Sequence, residues 1–207
     1  HADLLRLAEF AMAHGITVVS DEIWSDLLLD EEHGGPRHVP FASLDHDQAR
    51  NCVTLVAPSK TWNIAGLGCA AAICRDRGIL RQWRAAGGGL VPMINPIGYA
   101  AAEAAWRFGD DWRRRLVNVL RHHRELAVAA VAGIPGLTCV PPQATYLVWI
   151  DCRGTGVADP EAACLAAGIG PSDGAHFAAP GFIRLNTACP TPLFAEILRR
   201  LALAFAA

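Results

Sequence analysis

The chain has 207 residues, 52% of them hydrophobic and 18% charged, with a formal net charge of −2. That is the composition of a globular protein able to bury one large core and a smaller one. Acids and arginines are interspersed, which excludes a basic field for nucleic acid and a polybasic patch for a membrane surface.

No apolar run reaches the roughly 20 residues of a membrane span and no signal-type segment opens the chain, so a cytoplasmic protein is expected. The 7 cysteines, at 52, 69, 74, 139, 152, 164 and 189, never fall in a C-x-x-C spacing for zinc or a redox pair. They are expected to be reduced, mostly buried small hydrophobes.

In chain order, ADLLRLAEFAMAHG spaces its apolar residues as a helix does and ends at Gly15, a fitting C-cap. ITVVSDEI is a short β-branched run ending in acids, the pattern of a buried parallel strand whose carboxyl end opens on a site. LDEEHGGPRHVPFASLDHDQAR reads as a loop followed by a short polar turn. The acids and histidines of DEEHGGPRH belong to a solvated loop rather than a metal site, since no strand or helix holds them rigidly. CVTLVAPSK repeats the strand pattern, and GCAAAICR is a third candidate strand. Asp21 and Lys60 are thereby expected just beyond strands on one sheet edge. GGGL, from Gly87, lacks the Gly-Lys-Ser/Thr of a phosphate loop and reads as a hinge or a mobile loop. Helical periodicity runs from Ile97 to about Phe108 and from Asp110 to about Ala132. The second stretch is long and arginine-rich, with His122 and His123 expected on an exposed face. GIPG stops it. ATYLVWIDC then reads as a strand, EAACLAAG as a short helix, GFIRLNTAC as a strand and PLFAEILRRLALAFAA as a closing amphipathic helix.

Lys60 is the one lysine among 18 basic residues. A bias toward arginine explains the missing lysines, because either cation serves on an exposed helix; it does not explain the one that stays. An amine can lose its proton and attack a carbonyl, which a guanidinium practically cannot. Lys60 is therefore a candidate nucleophile, with a chance surface lysine as the plain alternative.

SDEIWSDL, SKTWNIAGL, PPQATYLVWIDCR and GFIRLNTACP, in this order and at these separations, resemble the pyridoxal phosphate-dependent, fold type I aminotransferase superfamily of class I/II. Within it they are similar to the cystathionine β-lyase branch of the MalY and PatB kind. The likeness spans essentially the whole chain and corresponds to the C-terminal half of the family pattern. It implies an α/β fold: part of the cofactor-binding large domain, with a mainly parallel sheet, over 1–89, a linker helix region over 90–109, and a small α+β domain over 110–207. It further implies pyridoxal 5'-phosphate as cofactor, a small amino-acid substrate, no metal and a homodimer. The front half of the family pattern, expected to carry the helix N-terminus for the cofactor phosphate and the ring stacked on the pyridine, is not in this sequence.

Residue by residue, the resemblance makes Lys60 the Schiff-base lysine and the base that moves the substrate α-proton. It makes Asp21 the acid that keeps the pyridine nitrogen protonated, although alone Asp21 would read as an ordinary strand-end carboxylate. Arg184, inside an apolar strand where an unpaired cation is costly, becomes the bidentate partner of the substrate carboxylate. Ser59 is a candidate contact for the cofactor phosphate, with a plain turn residue as the alternative. Trp24 stands where relatives carry Tyr or His; it donates one N–H and cannot act as an acid or base, so it reads as a packing residue, with a cofactor-binding residue that lines the site as the alternative. AGLGCA has no cation where typical aminotransferases place a phosphate-binding arginine, which agrees with the lyase branch. Asn63 and Gly66 are expected to shape the turn after the lysine, the glycine by permitting a backbone other residues disfavour. The implied activity is C–S β-elimination from cystathionine or a related S-substituted cysteine, giving pyruvate, ammonia and a thiol. An amino-acid aminotransferase and a noncatalytic regulatory domain of the same fold are the alternatives.

Overall fold

The apolar spacing of the first segment closes a helix, Ala2–Ala13 (α1), which buries Ala8 and Ala11 and hands over at Gly15, φ 63°. A computed structural model describes residues 1–206, apart from the side chains of His46 and Gln48. It divides into two units, one of His1–Asp26 with Arg37–Arg114, the other of Leu27–Pro36 with the residues from Arg115 onward. Among the described residues no helix is long and apolar enough to cross a membrane.

In the first unit the two β-branched runs become Val18–Asp21 (β1) and Cys52–Val56 (β2), paired in parallel from Val18 opposite Cys52 to Asp21 opposite Leu55. The third expected strand, Ala71–Cys74 (β3), runs antiparallel to β2. The sheet is thus mixed rather than mainly parallel. A parallel return needs a crossover, usually a helix, and the segment between β2 and β3 holds only the short 3-10 turn Ala65–Leu67. Phe41, Leu44, Ala49 and Cys52 bury together with Ala8 of α1; Ala49 ends the one-turn helix His46–Ala49 (α2).

A helix that periodicity did not reveal, Arg77–Gly87 (α3), follows β3. Its glycines at both ends hide it, yet its start is marked: Asp76 Oδ1 accepts from the Gly78 and Ile79 amides at 2.7 and 3.0 Å. Those backbone donors hold the Asp76 carboxyl below its usual range. Pro96–Phe108 (α4) starts at a second cap, Asn95 Oδ1 accepting from Gly98 N at 2.7 Å. The arginine-rich helix is Asp110–Ala132 (α5).

The second unit carries a four-stranded antiparallel sheet of Thr138–Cys139 (β4), Leu147–Asp151 (β5), Ser172–Asp173 (β6) and Phe182–Asn186 (β7), in the order β4-β5-β7-β6. Strand alternation sends Val148, Ile150, Ile183 and Leu185 to one face. There they pack with Ala127 and Val131 of α5, Cys164 of Pro160–Ala166 (α6), and Phe194 and Leu201 of Thr191–Ala204 (α7). Each fully buried large side chain contributes roughly 1.5 to 3 kcal/mol. Burial here pushes the Cys152 thiol up to about 12 and the Cys164 thiol up to about 11, and all 7 cysteines are free thiols.

His123 departs from expectation: His122 is exposed, but His123 is fully buried. Leu120, His123, Ala127 and Val131 form the buried stripe of α5 at helical spacing, so the ring occupies a core position. It is accommodated because both nitrogens find partners. Nδ1–H donates to the Thr187 carbonyl and Nε2 meets the Thr191 hydroxyl, each at 2.9 Å, while the ring stacks on Phe194 at 4.7 Å.

Leu27–Pro36 belongs to this second unit although it lies early in the chain. Leu27 and Leu29 are buried, and their backbone groups bond to Thr145 and Gln143 at 2.8 and 3.0 Å. The acidic run that follows is not merely solvated. Arg124 grips both carboxylate oxygens of Asp30, Nη2 to Oδ1 at 2.9 Å and Nη1 to Oδ2. The Arg124 hydrogen bonds hold the Asp30 carboxyl below its usual range. A carboxyl whose folded pKa is depressed stabilises fully above the ordinary carboxylate range, and that stability is lost as pH falls through the lowered value. Asp30→Asn is expected to reduce unfolding free energy by about 1 to 3 kcal/mol at pH 7. In urea titrations the gap to wild type should narrow at acid pH; a gap independent of pH would assign the loss to something other than the ion pair.

Candidate active site

Because β1 and β2 run parallel, their carboxyl ends reach the same sheet edge, where ligand sites of open α/β sheets form. Asp21 is the last residue of β1 and is exposed; its Oδ1 accepts from Ile23 N at 3.2 Å, and its other oxygen has no partner among the described residues. Its neighbour Glu22 has the opposite character. Glu22 is 7% exposed, with Oε1 accepting from Ser20 Oγ at 2.9 Å and Phe41 N at 2.8 Å, and Oε2 meeting His38 Nε2 at 2.8 Å. Alternation puts Ser20 and Glu22 on one side of the strand and Asp21 on the other. Anchoring Glu22 therefore fixes Asp21 outward. Sequence reasoning stopped at Asp21 and missed Glu22 and His38, though the acid doublet at a strand end was visible.

Beyond β2 the chain enters a turn that carries Ser59 and Lys60, both half-buried. Trp62 N bonds to the Pro58 carbonyl at 3.0 Å and Ile64 N to the Ser59 carbonyl at 3.1 Å. Asn63 takes the left-handed conformation, φ 55°, as residues of its kind tolerate. Gly66 does not serve as expected: it sits in the 3-10 turn, and the left-handed glycine is Gly68, φ 59°. The turn is pinned from below by Trp62, whose Nε1–H donates to the Gly109 carbonyl at 2.9 Å. A Cβ on Gly109 would lie 2.2 Å from that nitrogen, so only glycine admits the indole there.

Lys60 Nζ lies 5.7 Å from the centroid of the Trp24 ring, and among the described residues no carboxylate pairs with it. Next to it, Thr61 Oγ1 is buried without a hydrogen-bond partner among the described residues. Asp21, Trp24, Ser59 and Lys60 all belong to the first unit. Arg184 belongs to the second and stands by itself there, half-buried between the core residues Ile183 and Leu185. Its Nη2 donates to Ser172 Oγ at 3.1 Å and its guanidinium carbon sits 4.5 Å from the Phe177 ring centroid. Neither contact was legible in advance, because β6 is two residues long and gives no period to read.

A family model for class I and II aminotransferases matches residues 1–201. The chain belongs to the class I and II aminotransferase family. Cystathionine beta-lyase PatB of Bacillus subtilis is 37% identical to it, over 96% of this chain and 52% of that protein. The crystal structure of OvoB superposes with a TM-score of 0.95 at 39% identity, over 100% of this chain and 54% of that one. A putative PLP-dependent beta-cystathionase from Corynebacterium diphtheriae superposes with a TM-score of 0.90 at 33% identity, over 99% and 54%. The aminotransferase-family chain thus spans about half the length of the relatives it matches.

The contrast between the two neighbouring acids of this family member is directly measurable. Glu22→Ala removes the acceptor for three donors and is expected to cost about 3 kcal/mol of unfolding free energy, whereas Asp21→Asn, at an exposed position, should leave the urea midpoint nearly unchanged. Equal midpoints for the two variants would refute the anchoring role of Glu22.

Proposed function

We propose that the chain is the lysine-bearing part of a pyridoxal 5'-phosphate-dependent C–S β-lyase. The observation that carries this is Lys60: the sole lysine, held on the edge where β1 and β2 end, facing Trp24 and without a carboxylate partner among the described residues. The relatives named cystathionine beta-lyase support the same reading.

The donor set fits the cofactor. Among the described residues, an amine with no carboxylate partner, an exposed acid with one open oxygen and a Thr61 hydroxyl without a hydrogen-bond partner all belong to the first unit. Lys60 would hold the cofactor aldehyde through Nζ, Asp21 would face the pyridine nitrogen, Ser59 would reach the phosphate and Trp24 would flank the site. When bound, pyridoxal phosphate supplies an electron-accepting ring that stabilises negative charge at the substrate α-carbon.

The chain's own residues do the rest. Asp21 keeps a proton at the ring nitrogen, as a carboxylate can and a neutral side chain cannot. Lys60 Nζ takes the substrate α-proton, which an arginine at this position would not do. Arg184 offers a planar fork to the substrate carboxylate and orients it. The overall reaction adds water: cystathionine or a related S-substituted cysteine gives a thiol, pyruvate and ammonia. The first unit then serves as part of the large cofactor domain and the second as the small domain of a cytoplasmic homodimer.

Incubation with pyridoxal phosphate, reduction with borohydride and peptide mass mapping should label Lys60, with the label lost in Lys60→Arg and stronger than in a denatured control. Labelling spread over the N-terminal amine alone would sink the reading. With cystathionine, release of thiol together with pyruvate is expected; amino transfer to a keto acid without thiol release would instead establish an aminotransferase.

A further inference from the structure

The face of the four-stranded sheet opposite the core carries an aromatic ladder with a guanidinium at each end. On β5 and β7, Trp149 lies opposite Arg184 and Asp151 opposite Phe182. Phe182 stacks on Trp149 at 5.5 Å and 18°, and Trp149 meets Phe177 edge-on at 5.7 Å. Arg153 sits over Phe182 at 4.7 Å and Arg184 over Phe177 at 4.5 Å.

The two guanidiniums share this stacking but differ in what fills their forks. Arg153 is saturated by a carboxylate: Nε and Nη2 donate to the two oxygens of Asp151 at 2.9 and 2.7 Å. Among the described residues Arg184 makes one bond, from Nη2 to Ser172 Oγ at 3.1 Å, and no carboxylate pairs with it. A single hydroxyl takes one N–H and leaves a two-pronged edge open. The internal comparison is what makes the open fork informative, since the same sheet face supplies a carboxylate for one arginine and withholds it from the other.

We propose that Ser172 and Phe177 are positioning residues that hold the Arg184 guanidinium ready for a ligand carboxylate. This rests on Arg184 being the carboxylate partner proposed above. A free arginine side chain loses much rotamer freedom on docking a ligand, whereas one already stacked and hydrogen-bonded loses little. The local chain is built for the task. Ser172 stands opposite Arg184 in the β6–β7 register, and the next turn, Gly174–Phe177, presents the ring. Gly174 is buried, and a Cβ there would lie 2.3 Å from the Ala179 carbonyl and 2.7 Å from Phe182 Cβ. Only glycine lets that turn lie against β7 and bring Phe177 under the guanidinium.

The test follows the Arg184 Nε–H resonance of the 15N-labelled chain during titration with sodium acetate at constant ionic strength. Assignment comes from Arg184→Lys and Arg153→Lys. In wild type the Arg184 signal should shift saturably while that of Arg153 stays fixed. Ser172→Ala and Phe177→Leu should each weaken acetate binding by about three- to tenfold, and Ser172→Thr and Phe177→Tyr should restore it. Phe177 is 48% exposed and Ser172 sits on an edge strand, so neither change opens the core; a purely structural role would move the melting temperature and leave the acetate midpoint in place. If Arg184 responds and both weakening variants titrate like wild type, the positioning role is wrong and the carboxylate role of Arg184 survives. If Arg184 does not respond in wild type, the carboxylate role fails and the positioning role falls with it.

Discussion

The parallel pairing of β1 with β2 is the constraint on which the rest of the candidate site depends. Had β2 run antiparallel to β1, the residues that follow Val56 would emerge at the opposite edge from Asp21. Four paired residues of ladder thus decide that the acid and the lysine turn share an edge. The pairing is written into the sequence as two β-branched runs, each ending where polar chemistry begins. The antiparallel return of β3 costs the site nothing, because β3 lies on the other side of β2 and carries no residue assigned to it.

Adjacent residues of one polarity can have opposite jobs, and the period of the strand is what separates them. Asp21 and Glu22 are both carboxylates, yet one is exposed with a single backbone donor and the other is buried under three donors from Ser20, His38 and Phe41. A buried carboxylate is tolerable only when its lone pairs are filled, so Glu22 ties the segment around residues 38–41 to the strand end. The exposed member keeps an oxygen free among the described residues. The same division recurs in the second unit, where Arg124 is consumed by Asp30 and Arg153 by Asp151, while Arg184 retains an open fork. In each case the structural charge is saturated and the candidate functional charge is left short of partners.

Long, strongly periodic elements and the motifs at strand ends were legible in the sequence; short elements and side-chain partnerships were not. Helices α4, α5 and α7 and strands β1, β2, β5 and β7 lie where period and turn chemistry put them. Two-residue strands such as β4 and β6 contain no full period, and α3 is framed by glycines that read as breaks although Asp76 marks its start. His123 was misjudged because its residue type suggested solvent while its spacing from Leu120 and Ala127 placed it in the core stripe; position in the period outweighed polarity once two hydrogen-bond partners were available. Asp21, Lys60 and Arg184 were nameable from motifs. Their supports, Glu22, Trp62, Ser172 and Phe177, depend on contacts distant in sequence, which no local pattern encodes.

The lone lysine can now be weighed against the arginines on structural grounds. Arg6, Arg107, Arg114 and Arg199 sit on exposed helix faces with acids three or four residues away, where such pairs contribute little and either cation would serve. Arg124 and Arg153 use a fork that an ammonium could not match, so lysine is disfavoured there. Lys60 meets neither condition: it has no acid in an i,i+4 relation to exploit and no fork to fill, and it faces an indole ring instead. A guanidinium would stack on that ring at least as well as an ammonium. Packing and charge thus give no reason to prefer lysine at position 60, which leaves the property arginine lacks, an amine able to shed its proton.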